Sequence, residues 1–339
     1  MKRRDFLAGG IGLGSMACLA GAGSAAANDG RVRFLAFADI HYESTGRWPH
    51  PERAWLDRIL QRAVDAKADF VISLGDMTFG PVTDEERAYV RHYNSFKPIP
   101  TYHVYGNHEY ERVTPEELDR VYGLSRGWYS FEKNGFRFVV LDPHYIMKEG
   151  VCRRFFKRCS YKEEKLDRML PPEQLAWLRK TVVGSPRPCV VFSHESIERV
   201  RGGISNREEV LAIFAEANAK HPGTVRLVIN GHEHKDYLRL LDGIAYLDLN
   251  SASYDIERNH KAYPEEFRRR CSAAGYVLTW NDPLSAVITL SQDGDMKIEG
   301  CESSFYLGVT PKMAGWRGDG CGRVTTPRVQ SADLRFRYV

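Results

Sequence analysis

Val225-Arg226-Leu227-Val228-Ile229-Asn230-Gly231-His232-Glu233-His234 joins an apolar run to a polar cluster across a single glycine. The run is short, aliphatic and largely β-branched, the composition of a strand buried on both faces. The glycine permits a sharp turn where that strand ends, and two imidazoles follow at once. The same arrangement recurs four times upstream. Residues 32–38 end in Asp39-Ile40-His41, residues 70–74 in Gly75-Asp76, residues 102–105 in Gly106-Asn107-His108-Glu109, and residues 190–193 in His194. In an α/β sheet the loops at the carboxyl ends of the strands open onto one crevice. Five such ends can therefore bring their His, Asp and Asn side chains together. Singly, Asp39 reads as a turn residue, Gly75-Asp76 as a turn and His194 as a core histidine; five in succession, each closing an apolar run, read as a metal-type cluster.

The intervening segments carry helical patterns. Residues 51–67 place Trp55, Ile59 and Ala63 on one face. Residues 84–96 and 172–183 follow suit, and residues 206–219 begin with Asn206 and Glu209 as a capping pair. Thr114-Pro115-Glu116-Glu117 is a helix start with its cap, its proline and its reciprocal glutamate. Further on, hairpin turns dominate: Asn134-Gly135 between residues 128–132 and 136–141, Asp242-Gly243 between 237–241 and 244–249, and Asp293-Gly294 between 286–290 and 296–298. A strand is also expected over residues 276–280. The order predicts a layered α/β fold with mixed sheets. Residues 144–168 are basic and aperiodic and read as an insertion. The organisation expected is an export signal over 1–27, one main domain over 28–300 and an irregular extension over 301–339.

Composition narrows the class. Of 339 residues, 43% are hydrophobic and 27% charged, with a net charge of +4, so neither general disorder nor a concentrated basic field for nucleic acid is indicated. Lys2-Arg3-Arg4-Asp5-Phe6-Leu7 resembles the R-R-x-F-L core of bacterial twin-arginine signals, and Ala25-Ala26-Ala27 offers an A-x-A cleavage site. Six glycines between residues 9 and 23 make the stretch a poor membrane-spanning helix. A periplasmic or secreted location follows, with no stable membrane span after processing. Twin-arginine machinery moves folded proteins, which suits metal loading before export. Six of the seven Cys lie beyond the signal; Cys152 and Cys159 form the best candidate pair, and Cys189, inside an apolar run, reads as a buried thiol.

The five blocks in order (D-x-H, G-D, G-N-H-[DE], H, G-H-x-H) resemble the calcineurin-like metallophosphoesterase family across residues 32–298. The resemblance implies a four-layer αββα sandwich of two mixed sheets with a dinuclear metal site at the strand ends. It implies that Asp39, His41 and His234 hold one metal, that Asn107, His194 and His232 hold the other, and that Asp76 bridges them. It further implies that His108 is the catalytic histidine, protonating the leaving group of a phosphoester while a metal-bridging hydroxide attacks in line. His41 is present and no Tyr follows Asp76 closely, which sets the purple acid phosphatase branch aside. Imidazole, amide and carboxylate ligands fit manganese, iron or zinc better than calcium. With only two carboxylates among seven ligands, two divalent ions keep a positive surplus that favours hydroxide and phosphate. Glu109, or Asp76 through water, is the expected partner orienting His108. Arg112, Arg201, His144 and Tyr254 lie near the blocks as candidate substrate contacts, and the paired bases Arg153-Arg154 and Lys157-Arg158 as a candidate anion gate. A phosphoester substrate and the export machinery are the partners expected, with no specific nucleic acid. The competing classes are a non-catalytic metal- or phosphate-binding module on the same fold, and an amidohydrolase, which would want H-x-H where this chain has D-x-H.

Overall fold

The computed structural model describes residues 30–45, 52–155, 168–257, 260–315 and 324–336. In chain order the elements that build the body are β1 (Arg31–Phe37), α1 (Glu52–Asp65), β2 (Phe70–Ser73), α2 (Asp84–Asn94), β3 (Thr101–His103), α3 (Pro115–Tyr122), β4 (Tyr129–Lys133), β5 (Phe136–Val140), β6 (Tyr145–Lys148), β7 (Val151–Arg154), α4 (Pro172–Val183), β8 (Cys189–Phe192), α5 (Arg207–Lys220), β9 (Val225–Asn230), β10 (Tyr237–Leu241) and β11 (Ile244–Asp248). Then come β12 (Tyr254–Ile256), α6 (Glu265–Arg270), β13 (Val277–Thr279), β14 (Ala286–Ser291), β15 (Asp295–Glu299), β16 (Cys301–Glu302), β17 (Arg328–Val329) and β18 (Ala332–Arg335).

Two six-stranded mixed sheets run β18-β15-β14-β1-β2-β3 and β10-β11-β9-β8-β5-β4. Period-two alternation along each strand sorts its side chains between cores. Phe34 and Ala36 of β1, Phe70 and Ile72 of β2, Phe138 of β5, Val190 and Phe192 of β8 and Leu227 and Ile229 of β9 all face the space between the sheets. Leu35, Phe37 and Val71 face the other way, onto Trp55 and Ile59 of α1, Tyr89 and Tyr93 of α2 and Leu118 of α3. Val139 and Val191 turn outward to Leu178 of α4 and Val210 and Phe214 of α5. The result is the expected sequence of layers, helix, sheet, sheet, helix. Within the sheets β1, β2 and β3 are parallel neighbours, and so are β8 and β9. Their carboxyl ends therefore emerge on one edge, and that edge carries the site.

The differences from expectation are local. Asn206 stands at the start of α5 but makes no side-chain cap. Its amide instead accepts from Leu170 N at 3.1 Å and donates to Leu170 O at 2.9 Å, a long-range clamp that outcompetes the local cap. Part of the segment expected to be an aperiodic insertion is a hairpin, β6 against β7, with Tyr145 opposite Arg154. The tail expected to be irregular is tied in, since β17 pairs with β16 and β18 completes the first sheet beside β15. β12 and α6 leave no periodic signal in the sequence, because three and six residues are too short to show one. Cys189 is buried and free. Residues 1–27, Cys159 and Lys157-Arg158 lie outside the described residues.

Phe34 stacks on Phe70 at 4.9 Å between ring centroids and meets Phe138 and Phe192 of the facing sheet edge-on at 5.7 and 5.8 Å. It thus joins the two sheets behind the site. Phe34→Ala is expected to lower the unfolding free energy by about 3–5 kcal/mol, read from equilibrium urea denaturation.

Candidate metal centre

The segments that follow the strands carry the site: Asp39 and His41 after β1, Asp76 after β2, Asn107 and His108 after β3, His194 after β8, and His232 and His234 after β9. The backbone reaches these positions by leaving the strand conformation abruptly. Asp39, His41, Asp76, His232 and His234 all have φ between 51 and 70°. Left-handed backbone costs a non-glycine residue on the order of 1–2 kcal/mol, and Asp and His tolerate it better than most. Two site glycines have a further reason. A Cβ on Gly75 would stand 2.5 Å from His194 Nδ1, and one on Gly231 would stand 2.6 Å from Asp39 Oδ2. The glycine of each block is the space its neighbouring ligand occupies.

Two clusters result. His41 Nε2 and His234 Nε2 are 3.2 Å apart, and Asp39 Oδ1 is 3.3 Å from His234 Nε2. His194 Nε2 lies 3.1 Å from Asp76 Oδ2, 3.2 Å from Asn107 Oδ1 and 3.3 Å from His232 Nδ1. Asp76 Oδ2 is also 3.9 Å from His41 Nε2, so the carboxylate stands between the clusters. All seven residues anticipated as ligands are brought together by the fold. Ligand atoms about 2.0–2.2 Å from a cation lie about 3.0–3.5 Å from one another along the edges of its coordination polyhedron. The 3.1–3.3 Å spacings match those edges, while His41 Nε2 stands slightly wider, 3.8 Å from Asp39 Oδ1 and 3.9 Å from Asp76 Oδ2. Asp39 Oδ1 is buried without a hydrogen bond, as a ligand oxygen awaiting a cation would be.

The tautomers agree. His194 Nδ1 is 2.8 Å from Leu74 O and His234 Nδ1 is 2.7 Å from Tyr254 O. A carbonyl only accepts, so both Nδ1 atoms carry hydrogen and both Nε2 atoms turn towards the centre, the pattern that orients metal-binding imidazoles. The carboxylates are anchored likewise: His232 N donates to Asp39 Oδ2 at 3.0 Å and His108 N to Asp76 Oδ1 at 2.8 Å.

His108 stands beside the two clusters, with a ligand atom within 4.8 Å of those of His41 and Asp76. Its ring is one-quarter exposed, with Nε2 3.9 Å from Asp76 Oδ2 and Nδ1 2.7 Å from Glu111 Oε1. The expected partner Glu109 is elsewhere. It is fully buried and accepts from Asp76 N and Gly106 N at 2.7 Å, from Thr78 N at 3.1 Å and from the Tyr122 hydroxyl at 3.2 Å. Glu109 therefore shapes the turns that carry Asp76 and Asn107, and Glu111, three residues past His108 in a 3-10 turn, holds the ring. Of the anticipated substrate contacts, Arg112 reaches Glu86 at 3.4 Å, His144 is buried between Asp142 and Glu195, and Tyr254 flanks His41 with ring centroids 5.0 Å apart. Arg201 is exposed on the loop after β8.

Electrostatics distinguish the imidazoles. Burial holds His41 and His232 well below the usual imidazole range. Burial also opposes charge on His194, but Asp76, Asp39 and Glu195 outweigh it and push the ring up to about 10. Burial works the same way on His108, and there Asp76 and Glu111 prevail, so its proton is held more tightly than usual. Burial likewise works against charge on Asp76, yet His194 and His108 keep its carboxyl well below the ordinary range.

The family model for calcineurin-like phosphoesterases matches residues 32–236. No curated protein matches the chain by sequence. Among solved structures, a dimetal phosphatase from Danio rerio is similar at 14% identity and a TM-score of 0.59, over 90% of this chain and 99% of that one. GAP50, the anchor in the inner membrane complex of Plasmodium, is similar at 13% identity and a TM-score of 0.50, over 91% and 89%. At these identities the likeness is one of fold.

His194 generates a prediction. Below about pH 10 its ring is protonated in the cation-free protein, whereas a cation binds only the neutral imidazole. Loading at pH 7 is therefore expected to release protons, and apparent affinity to weaken about tenfold for each unit by which the pH is lowered, per proton displaced. Titration of manganese or zinc into weakly buffered protein checks this; loading with no proton release contradicts it. Matched by the family model over residues 32–236, the chain belongs to the calcineurin-like phosphoesterase family, as a metal-dependent phosphoester hydrolase.

Proposed function

We propose that the chain is an exported phosphoester hydrolase, a phosphatase or a phosphodiesterase, in which seven residues, all but His232 buried, hold two cations and His108 is the general acid. The observation that carries the reading is the carboxylate of Asp76 standing between two clusters of facing ligand atoms, with a partly exposed, proton-retaining imidazole beside it. Asp39, His41 and His234 form one ligand set and Asn107, His194 and His232 the other. Manganese, iron and zinc suit this mixture of imidazole, amide and carboxylate. When bound, two such cations neutralise phosphoryl oxygens and supply hydroxide at neutral pH.

The chain's own residues do the rest. Phosphoester hydrolysis needs a proton delivered to the departing oxygen, and general acids of this kind contribute about 10²–10⁴-fold. His108 presents Nε2 towards the centre while Glu111 fixes Nδ1. With Asp76 and Glu111 raising its basicity against the effect of burial, the ring holds its proton more tightly than an ordinary imidazole. Burial of Asp39, Asp76, His41 and His194 keeps bulk water from competing for the same atoms.

His108→Ala is expected to lower kcat for p-nitrophenyl phosphate by about 10²–10³-fold with both metals retained, read by steady-state kinetics alongside metal analysis. Asp76→Asn is expected to lose metal as well as turnover. Full activity in His108→Ala removes the acid role. Metal and phosphate binding by the wild type without turnover of either a monoester or a diester identifies a binding module instead.

The paired Arg3-Arg4 ahead of Phe6-Leu7 and the alanines at 25–27 support export through the twin-arginine route. Among the described residues no helix is long and apolar enough to cross a membrane. Arg3→Lys with Arg4→Lys in the full chain is expected to retain the unprocessed protein in the cytoplasm, scored by cell fractionation; normal export of that variant sinks the twin-arginine reading.

A further inference from the structure

Arg201, anticipated as a substrate contact, has no bond to its side chain among the described residues, and it lines a cavity of about 400 Å³. The loop from Glu198 to Arg201, a few residues past His194, forms one wall. β10 forms another. Side chains alternate along a strand, so Tyr237, Arg239 and Leu241 share one face, and all three line the space. Arg207, at the start of α5, closes a third side. Glu233 shows how near this is to the centre. It stands between His232 and His234, its carboxylate pairs with Arg199 of the same loop, and a Cβ on Gly202 would come 2.5 Å from its Oε1. The cavity thus adjoins the turn that carries two ligands.

Glu198 arranges the guanidiniums. Its buried carboxylate accepts from Arg239 Nη1 at 2.7 Å, and its carbonyl oxygen accepts from Arg207 Nη2 at 3.0 Å and Nε at 3.3 Å. One residue therefore fixes two arginines. A guanidinium has five N–H donors, and Arg239, 43% exposed, commits only Nη1 to the protein among the described residues. Charge is left over as well. Glu198, Glu208 and Glu233 stand against Arg239, Arg207 and Arg199, while no carboxylate among the described residues pairs with Arg201. The remaining lining is apolar: Val200, 82% exposed, faces the same space as Leu241 and the ring of Tyr237. Covering exposed apolar side chains is favourable, and an oxyanion is the acceptor that unspent guanidinium donors bind most strongly.

We propose that this cavity is a second binding site, for an organic anion that sets an oxyanion on Arg201 and Arg239 and an apolar body against Tyr237, Leu241 and Val200. The site uses none of the metal ligands and does not depend on the phosphoesterase reading. Two kinds of molecule bring that chemistry: a substrate whose far end carries a second charge, and a separate anion that occupies the cavity alone.

The probe is 1-naphthalenesulfonate, an anion with a ring body and no phosphoester, added to metal-loaded mature protein and followed by calorimetry. One-to-one binding with a Kd below about 1 mM is expected. Arg201→Ala is expected to weaken it at least about tenfold, the scale of one charged hydrogen bond, and Arg201→Ala with Arg239→Ala further. Arg201 is exposed and bonds nothing described, so the single variant is expected to melt like wild type, and it decides the matter should the double variant fail to fold. 1-Naphthol, which keeps the ring without the charge, is expected to bind at least about tenfold more weakly. Kinetics with p-nitrophenyl phosphate then assign the source. Competitive inhibition by the sulfonate that Arg201→Ala relieves places a substrate's far end in the cavity; binding that persists at saturating inorganic phosphate places a separate anion there. The site is overturned by a lack of saturable binding, by an affinity in Arg201→Ala within about threefold of wild type, well short of one charged bond, or by equal binding of 1-naphthol. Competition that Arg201→Ala leaves untouched also overturns it, since the sulfonate is then on the cations. Calorimetry needs no turnover, so failure of the phosphoesterase reading shows separately, as a protein that binds the sulfonate and hydrolyses no phosphoester.

Discussion

Ligand atoms that would not tolerate one another's company are held within van der Waals distance at the centre of this molecule. Two Nε2 atoms stand 3.2 Å apart in His41 and His234, and the Nε2 of His194 is packed among an amide oxygen, a carboxylate and another ring nitrogen. Without cations such a cluster is a burden: lone pairs oppose lone pairs, and charges are stripped of water. Part of that burden is relieved by protons, which is why His194 is so basic in the cation-free state. The rest is carried by the scaffold, which holds five of these residues in left-handed backbone and gives them no room to retreat.

The scaffold can do so because the ligands come from two sheets whose faces are locked together. Parallel β1, β2 and β3 deliver Asp39, His41, Asp76 and Asn107; parallel β8 and β9 deliver His194, His232 and His234. The aromatic core around Phe34 fixes the spacing between them. Bonds across the gap then set the register: His194 Nδ1 to Leu74 O, and His232 N to Asp39 Oδ2. The C-terminal segment adds a third support. Lys235, next to His234, pairs with Asp255, and both bond the hydroxyl of Thr325. Asp236 accepts from Gln330 N at 3.0 Å, and Asn250 donates to Thr326 O at 2.7 Å. The end of the chain is thereby stitched to the loop that carries two ligands.

How much of this is legible in the amino-acid sequence depends on the range of the signal. The strands that end in ligands are runs buried on both faces, so their composition alone marks them, and the glycines and polar clusters that follow are local. Long amphipathic helices are equally readable, α4 over residues 172–183 being an example. What escapes is pairing between distant segments. Asn206 has the residue type and position of a helix cap, yet a peptide 36 residues upstream claims its amide. Glu109 follows His108 directly but points back into the turns of Asp76 and Gly106, and only a 3-10 turn brings Glu111 round to the imidazole. The β16–β17 pairing joins two-residue strands, below the length at which any period can be seen.

This division has a functional consequence. Ligands must satisfy strict geometry around cations, so they sit on rigid strand ends and recur in compact blocks. The residues that brace them are under no such constraint. Arg168 lies after the hairpin β6–β7, in a stretch whose only sequence character is its positive charge, and it reaches the centre through a chain of buried partners: Glu195, His144, Asp142 and Tyr110. Each of those residues is ordinary where it stands in the sequence; their order in space gives the guanidinium its place. A centre read from compact motifs is thus braced by side chains that no motif contains.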